Sequence, residues 1–296
     1  MKKVGNAIRH TTGENVFNAF NICLLFLVTL CMLYPMLHVI FSSLSNGALL
    51  MKHKGLLWRP QGFSLAAYRA VAKSPMIPIG YRNTLFVVTI GTALNILMTA
   101  LGAFFVSRKD QTAAKYVMLF FLFTMFFSGG MIPAYLNVNS LGLYDSLWAL
   151  ILPGLVSTYN LIILRTAFQA IPESLEESAK LDGANHFQIL TRIYLPLSTT
   201  VIAVLVLYYG VGHWNAWFDA MLYIRNRNYY PLQLIMREVL ISNDVSQMYN
   251  AGVDVDMVAP TVQYAVIVAT TLPILCIYPF LQKYFVKGVM IGSVKE

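Results

Sequence analysis

Long apolar stretches alternate with polar loops along almost the whole of this chain. A helix needs about 20 consecutive apolar residues to cross the hydrocarbon core of a bilayer. Six stretches meet that requirement, at residues 16–43, 83–107, 114–136, 145–168, 197–224 and 260–285. The pattern predicts an all-α polytopic membrane protein with six transmembrane helices and both termini on the same side of the membrane.

Composition supports the membrane class. Of 296 residues, 57% are hydrophobic and 11% are charged, whereas about a quarter are charged in an ordinary soluble domain. The formal charge of +8 is scattered over the loops rather than gathered in a stripe, so we expect no nucleic-acid partner. Cys23, Cys31 and Cys276 lie in apolar stretches, which predicts neither a disulfide nor a metal site.

The charges of the short loops orient the predicted spans. The loop after the second span carries Arg108, Lys109 and Lys115. The loop 137–144 carries no Lys or Arg, and basic short loops stay in the cytoplasm. Both termini and the loop 169–196 are therefore predicted to be cytoplasmic. The long basic loop 44–82 would lie outside, which is permitted because long loops are translocated largely regardless of charge.

The loop 169–196 has the signals of two short helices. Pro172 suits the first turn of a helix, and the glutamates after it are favourable near a helix N-terminus. Gly183 can adopt the positive φ that ends a helix, and Asn185 can cap a second one. Pro196 marks the entry to the fifth span. These signals predict a helix-turn-helix that projects into the cytoplasm.

The same loop carries a recognisable motif, made of Glu177, Ala179, Gly183, Ile193, Leu195 and Pro196. Their spacing resembles the EAA coupling loop of ABC importer permeases, which docks onto a separate ATPase subunit. Ser178 stands where that family usually has alanine, which exchanges one small side chain for another. The ATPase-coupling residues that the resemblance implies are Glu177, Ser178, Ala179, Gly183, Phe187, Leu190 and Pro196.

Each part of this coupling surface has an expected role. Ala179 and Gly183, four residues apart, would share a small face that a partner groove could approach closely. Phe187 and Leu190 would supply apolar contact with the ATPase. Arg192 is expected to pair with acidic groups nearby.

Five further segments occur in an order that resembles the maltose-permease-like carbohydrate importers. They are residues 81–84, 128–133, 148–154, 212–219 and 287–295. The closest subgroup serves complex oligosaccharides of the polysaccharide or aldouronate type. The resemblance implies a type I ABC importer transmembrane domain at 81–285. An N-terminal helix and outer loop at 1–80 would precede it, and a cytoplasmic tail at 286–296 would follow.

The resemblance also implies partners in a bacterial cytoplasmic membrane. A homologous second permease subunit, an ATPase homodimer and an extracytoplasmic solute-binding protein would complete the importer within the lipid bilayer. The sequence has no phosphate-binding loop of the Walker type. ATP and Mg²⁺ would therefore be bound by the ATPase, and this chain would be a non-catalytic permease without a cofactor of its own. It would translocate a carbohydrate by ATP-driven alternating access.

The fifth span carries most of the candidate residues for the substrate path. On one continuous helix, His213, Trp214 and Trp217 would share one face, whereas Asn215 and Asp219 would share another. Aromatic rings beside hydrogen-bonding groups suit a sugar, because its faces are apolar and its edges carry hydroxyls.

Other interpretations of these side chains remain open. The tryptophans also fit the aromatic belt of any membrane protein, and Asp219 could pair with Arg82. Asn83, at the outer start of the second span, is a further candidate for the substrate path. In some relatives only one of the two permease subunits contacts the sugar.

The competing function class is an ion-gradient-driven transporter or channel that acts without an ATPase. It predicts paired charges or broken helices at corresponding positions of two halves, and the sequence has no such repeat. No catalytic constellation or metal-ligand cluster can be placed at one membrane depth. The sequence therefore favours the ABC permease.

Overall fold

The computed structural model describes residues 11–108, 110–242 and 259–293. Lys109 and the last three residues of the predicted tail lie outside these ranges. Within them the regular structure is helical, apart from an isolated antiparallel bridge between Ser45 and Phe63. The all-α prediction is confirmed.

The helices are numbered in chain order. They are α1 Thr12–Ser43, α2 Gly47–Lys52, α3 Ala66–Lys73, α4 Met76–Ser107, α5 Thr112–Phe126, α6 Met131–Ser140, α7 Thr158–Gln169, α8 Glu173–Leu181, α9 His186–Leu197, α10 Thr199–Asn215, α11 Phe218–Tyr223, α12 Leu232–Ser242 and α13 Ala259–Ser293. Helix α4 contains a π-helical turn at Val87–Gly91, and α9 contains one at Leu190–Tyr194. Two 3-10 turns, Leu147–Leu150 and Leu152–Gly154, precede α7, and a third, Arg227–Tyr229, precedes α12.

Three of the described helical segments are by themselves long and apolar enough to cross a membrane, namely α1, α4 and Pro260–Ile277 of α13. Three further pairs pass the same test together but are bent: α5 with α6 by 119°, the first two 3-10 turns with α7 by 49°, and α9 with α10 by 85°. The described residues hold up to six spans if each bent pair is one span. The six-span arrangement itself stays a prediction.

Three predicted spans are not the continuous helices that their apolar sequence suggested. The stretch 114–136 is broken between α5, which ends at Phe126, and α6, which begins at Met131. The stretch 145–168 opens with 3-10 turns around Pro153, which has no N–H for an α-helical hydrogen bond, and α7 begins only at Thr158. The stretch 197–224 breaks after Asn215, because Ala216 has an extended backbone and α11 starts afresh. A continuous run of apolar residues therefore does not by itself establish a continuous helix.

The chain divides into two compact units, residues 1–71 with 252–268 and residues 72–251 with 269–296. In the first unit the Tyr34 hydroxyl accepts a hydrogen bond from the Leu57 N–H at 3.0 Å. Most of α1 exposes apolar side chains. An exposed apolar surface of that length requires lipid or another membrane subunit around it.

In the second unit α4 packs against α7 and α10. A buried cluster joins these helices to α9, and its members include Ala103, Phe104, Leu164, Phe168, Leu190 and Leu205. Inside a bilayer such packing is stabilised by close van der Waals contact rather than by transfer of apolar surface from water. The cluster lies beside the end of α4 that carries Arg108, directly against the loop 169–196.

Candidate functional site

The loop 169–196 forms the predicted helical hairpin from α8 and α9. Gly183 has φ +81°, and the Ala184 N–H donates to the Ala179 carbonyl at 2.9 Å, which closes α8 with a Schellman-type turn. Asn185 and Gln188 cap α9 reciprocally, each side chain binding the other residue's N–H at 2.9 Å. The predicted conformations of Gly183 and Asn185 are confirmed.

A single carboxylate, that of Glu176 on α8, binds side chains from three helical segments. Its Oε1 lies 2.6 Å from Arg108 Nη2 at the end of α4 and 2.9 Å from Lys180 Nζ. Its Oε2 accepts a hydrogen bond from the Tyr194 hydroxyl of α9 at 2.6 Å. The Glu176 side chain is 13% exposed, so these contacts are well shielded from water.

The Arg108 guanidinium is the other centre of this cluster. Its side chain is 7% exposed and lies over the Phe104 ring, 5.3 Å from the ring centroid. Besides Glu176, it donates to His186 Nδ1 at 2.9 Å and lies 3.4 Å from Asp110. Because an arginine can only donate, the His186 nitrogen is the acceptor. Arg108 thus contacts both helices of the hairpin.

Aromatic packing fixes the Tyr194 hydroxyl in this position. The Tyr194 ring is buried edge-to-face between Phe104 of α4 and Phe168 of α7, with centroid distances of 5.0 and 5.2 Å. Edge-to-face pairs at such distances are favourable for aromatic quadrupoles. The polar cluster therefore sits directly on the apolar core.

The environment of Glu176 stabilises its charged form. Burial alone would disfavour the charge, but the hydrogen bonds from Tyr194 and Lys180 and the positive charge of Arg108 outweigh burial and lower the pKa of Glu176 below its ordinary value. A carboxylate with three donors remains ionised at neutral pH. The ion pair with Arg108 is then intact under physiological conditions.

The outer face of the hairpin carries several of the predicted coupling residues. Glu177, Ser178 and Pro196 are exposed, and the Phe187 side chain is 65% exposed. Leu181, which sequence reasoning missed, is 89% exposed at the end of α8. Glu177, Leu181 and Phe187 are thus exposed acidic and apolar residues of the hairpin, and they are termed the hairpin tip below.

Two of the predicted coupling residues do not lie on the outer face of the hairpin. Leu190 is 4% exposed and belongs to the buried cluster, since the stripe of α9 that includes Ile189 and Tyr194 faces the core. Ala179 is half-buried and packs against the same cluster, so the small face that it was expected to offer is turned inward. Arg192 is exposed and forms no ion pair within the described ranges.

Sequence reasoning also missed the roles of Arg108, Glu176 and Tyr194. The spacing of Glu176 and Lys180 is a visible i,i+4 signal for an ion pair on a helix. No local signal joins Glu176 to Arg108, which precedes it by 68 positions. The cluster is therefore a product of the tertiary packing of α4 against α7.

The predicted substrate-path residue Asn83 has a structural role. It is 2% exposed, and its amide donates to the carbonyls of Asn228 and Tyr230 at 2.8 and 3.1 Å. These bonds hold the 3-10 turn before α12 against α4, because a buried amide must find partners. Arg82 also donates to the Asn228 carbonyl, at 3.4 Å, and forms no ion pair with Asp219 in the described structure.

His213 is part of a partly buried polar network. Its Nε2 lies 2.7 Å from Asn95 Oδ1 on α4, and the Asn95 amide donates to the carbonyls of Gly154 and Leu155 at 2.8 and 2.9 Å. The backbone of Gly91 packs against the same ring, and a Cβ there would be 2.7 Å from His213 Nε2. The network links α4, α10 and the turn before α7.

A cavity of about 480 Å³ brings together two of the six predicted substrate-path residues, His213 and Asp219. Its lining also includes Asn160, Tyr209 and Tyr223, so hydroxyl, amide, imidazole and carboxylate groups surround the space. Such a mixture of aromatic rings and hydrogen-bonding groups fits a sugar. The break after Asn215 places Asp219 on α11, so the predicted face shared by Asn215 and Asp219 on one helix is wrong.

The two tryptophans do not share a sugar-facing surface with His213. Trp214 is 5% exposed and lines a different, apolar cavity of about 550 Å³ with Ile96, Val206 and Ile274. Trp217 follows the helix break, and the Arg237 guanidinium stacks over its ring at 3.7 Å. Asn215 is exposed.

A model of the family described as binding-protein-dependent transport system inner membrane component matches residues 85–291. A relative from Bacillus subtilis (strain 168), the polygalacturonan/rhamnogalacturonan transport system permease protein YtcP, is 42% identical over 92% of this chain and 95% of its own length. Protein LplC of the same organism is 40% identical over 98% of both chains.

A solved structure with the same fold covers 94% of this chain and 99% of its own, with a TM-score of 0.85 and 29% sequence identity. It is described as a bacterial ABC transporter involved in the import of the acidic polysaccharide alginate. The similarity extends over almost the complete chain.

Proposed function

The chain belongs to the family of binding-protein-dependent transport system inner membrane components, and on that premise we propose that it imports an acidic oligosaccharide. As a member of this family it is a membrane-embedded permease of an ABC importer, a transporter subunit rather than an enzyme. Two similar proteins support the acidic substrate. One is named for polygalacturonan and rhamnogalacturonan, of which polygalacturonan has a uronic acid as its repeating unit, and the other is described as involved in the import of an acidic polysaccharide.

The observation that carries the ATP-driven part of the proposal is the hairpin of α8 and α9. It presents Glu177, Leu181 and Phe187 outward and ties its inner face to the core through Glu176. A rigid projection with an exposed mixed surface suits a partner that must move it, since an isolated apolar tip on a loop is otherwise unfavourable in water. The proposed partner at this tip is an ATPase homodimer that binds ATP and Mg²⁺.

The complete importer would contain a homologous second permease subunit and an extracytoplasmic solute-binding protein. We place both termini, the tail 286–296 and the hairpin on the cytoplasmic side, with the transmembrane domain at 81–285 and the N-terminal helix and outer loop at 1–80. Closure of the ATPase dimer would then move the hairpins and expose the sugar cavity alternately to the two sides of the membrane.

The cavity lined by His213 and Asp219 is the proposed sugar path in this subunit. The Asp219 carboxylate would accept hydrogen bonds from sugar hydroxyls, while Asn160 offers both a donor and an acceptor. A carboxylate repels the carboxylate of a uronic acid. Recognition of the acidic groups would therefore fall to the binding protein or to the second permease.

Uptake by the purified assembly in proteoliposomes tests this function. With ATP inside, the vesicles should accumulate labelled oligogalacturonate delivered by the binding protein, and a neutral oligosaccharide of the same length is the matched control. Equal uptake of both sugars would contradict the acidic substrate. Uptake by this chain alone, driven by an ion gradient without the ATPase, would establish the competing transporter class instead.

A further inference from the structure

The hairpin of α8 and α9 is joined covalently to α7 on one side and to α10 on the other. Its links to α4 are noncovalent. They are the packing of the Tyr194 ring against Phe104 and the polar contacts of Arg108, which follows the last residue of that helix. This side chain reaches Glu176 on α8 at 2.6 Å and His186 on α9 at 2.9 Å. A displacement of the hairpin as one body therefore acts on α4 through the Arg108 side chain.

We propose that Arg108, Glu176 and Tyr194 are positioning residues for energy coupling, which make the hairpin and the end of α4 a single mechanical unit. Movement imposed on the hairpin then reaches α4 as well as α7 and α10. The inference rests on the proposed function, because it presupposes an ATPase that moves the hairpin.

The carboxylate of Glu176 is shared between helices in a way that requires both of its oxygens. Oε1 binds Arg108 from α4, whereas Oε2 binds the Tyr194 hydroxyl from α9. Charge-assisted hydrogen bonds of this kind are short and strong. An amide in the same place would offer one acceptor oxygen and an NH₂ group that can only donate, so it cannot satisfy both donors.

Arg108 is equally specific in its geometry. The planar guanidinium directs Nη2 to Glu176, Nη1 to His186 and Nε to Asp110. A lysine ammonium is a point charge without that fixed fork, so it cannot hold two helices at defined angles. The near-complete burial of the Arg108 side chain keeps this geometry from relaxing into water.

Helix α4 connects the cluster to the sugar cavity. Asn95, the partner of His213, lies on α4 13 positions before Arg108, and a helix rises about 1.5 Å per residue, so the two sites are about 20 Å apart along one helix. His213 lines the sugar cavity. Movement received at Arg108 thus has a direct helical route to the residues around the cavity.

The experiment compares Glu176→Gln, Arg108→Lys and Tyr194→Phe with Lys180→Gln in the reconstituted importer. Lys180 contacts the same carboxylate at 2.9 Å but lies on α8 itself, so its loss breaks no link between helices. The readouts are basal ATP hydrolysis, hydrolysis stimulated by sugar-loaded binding protein, and sugar transported per ATP. Co-purification of the ATPase reports assembly.

For Glu176→Gln, Arg108→Lys and Tyr194→Phe, sugar transported per ATP should fall about tenfold, the size expected for loss of one charged hydrogen bond. Basal hydrolysis and assembly should stay near the wild-type level. Lys180→Gln should transport normally. In the double variant Arg108→Lys with Glu176→Gln, the loss should be no larger than in either single variant, because the residues act as one joint.

Normal transport per ATP in Glu176→Gln, or an equal loss in Lys180→Gln, would overturn the inference. If the variants of Arg108 and Glu176 fail to assemble, Tyr194→Phe decides, because it removes one hydroxyl and leaves the packed ring in place. An importer whose wild-type form transports no sugar with ATP would refute the proposed function itself. If the wild-type importer transports sugar and Tyr194→Phe transports as much sugar per ATP, only the inferred link between the hairpin and α4 would be refuted.

Discussion

His213 Nε2 and Asn95 Oδ1 lie 2.7 Å apart, although 118 positions separate the two residues in the chain. The contact holds α10 against α4 at the level of the π-helical turn, and Asn95 extends it to two carbonyls of the turn before α7. Three membrane segments therefore meet at one amide. Polar contacts between membrane helices act in this way because hydrocarbon offers no alternative partner.

The first prediction concerns this amide. Asn95→Ala removes every hydrogen bond that the amide makes and leaves the His213 ring and two carbonyls without that partner. We expect the protein in detergent to lose about 1–2 kcal/mol of stability, seen as a lower thermal unfolding midpoint. Asn215→Ala is the matched control, because Asn215 is exposed and its truncation should leave the midpoint unchanged. Equal midpoints for the two variants would contradict a structural role for the network.

The second prediction uses two glycines that face different surroundings. A Cβ on Gly91 would lie 2.7 Å from His213 Nε2, whereas the nearest atom to a Cβ on Gly210 is Thr92 Oγ1 at 3.7 Å. Gly91→Ala should therefore destabilise the protein by about 1–3 kcal/mol through overpacking. Gly210→Ala should be neutral or stabilising, because alanine also favours the helix. Unfolding midpoints in detergent compare the pair, and the reverse order would contradict the packing.

The third prediction concerns the turn of the hairpin. Gly183 has φ +81° and open space around its Cα, so only backbone strain opposes a side chain there. Gly183→Val should cost at least about 1–2 kcal/mol at this turn and reduce stimulated ATP hydrolysis, whereas Gly183→Asn should be tolerated because asparagine visits the left-handed region. Stimulated hydrolysis of the assembled importer is the measurement. Equal activity of the two variants would show that the turn does not require this conformation.

The fourth prediction tests the hairpin tip as the ATPase docking surface. Leu181→Ser and Phe187→Ser remove exposed apolar groups, so the permease should fold normally but retain the ATPase about tenfold less well, as for central interface residues. Co-purification at several ATPase concentrations measures this loss. Leu141→Ser is the control, since Leu141 is 63% exposed but lies after α6, away from the hairpin. Undiminished ATPase retention in both tip variants would exclude the tip from the interface.

The fifth prediction follows from the lowered pKa of Glu176. Its interactions stabilise the ionised carboxylate, so their contribution is fully present above the ordinary pKa of 4.5 and disappears as the pH falls through the lower value of the folded state. Glu176→Gln should destabilise the protein at pH 7 and flatten the decline of stability below pH 4.5. Lys180→Gln should retain the part of that decline that depends on Tyr194 and Arg108. A Glu176→Gln profile parallel to wild type would contradict the shift.

The sequence predicted the hairpin well because its determinants are local. Gly183, Asn185 and the proline at 172 act within a few residues of where they stand, and the structure places a positive φ and a cap there. It was harder to predict which side chains of the hairpin face the core and which face outward. Phe187 and Leu190 are three positions apart and were both predicted to contact the ATPase. In the structure Leu190 is buried in the core, whereas Phe187 is exposed. Apolar character alone does not distinguish a core contact from a partner contact.

The arrangement of the candidate sugar-path residues was harder still to predict, because the prediction assumed a continuous helix. The helix breaks at Ala216 and Trp217, where the sequence has neither a proline nor a glycine that would have signalled a break. The predicted helix faces of the fifth span are therefore wrong beyond this point. Asn83 and His213 are polar residues within apolar stretches, and both were predicted to line the substrate path. Their partners are backbone carbonyls and another amide, and only tertiary contacts reveal that.

The outer side of the hairpin is exposed and the inner side packs on the core. This difference affects how such importers can diversify. The exposed side chains of Leu181 and Phe187, which are the proposed contacts with the ATPase, lie on the outer side, whereas Glu176 and Tyr194 hold the opposite side to the core. Substitutions on the outer side can therefore accumulate to suit a new motor while the inner contacts stay unchanged. A permease of this design could exchange one energising subunit for another without rebuilding its membrane domain.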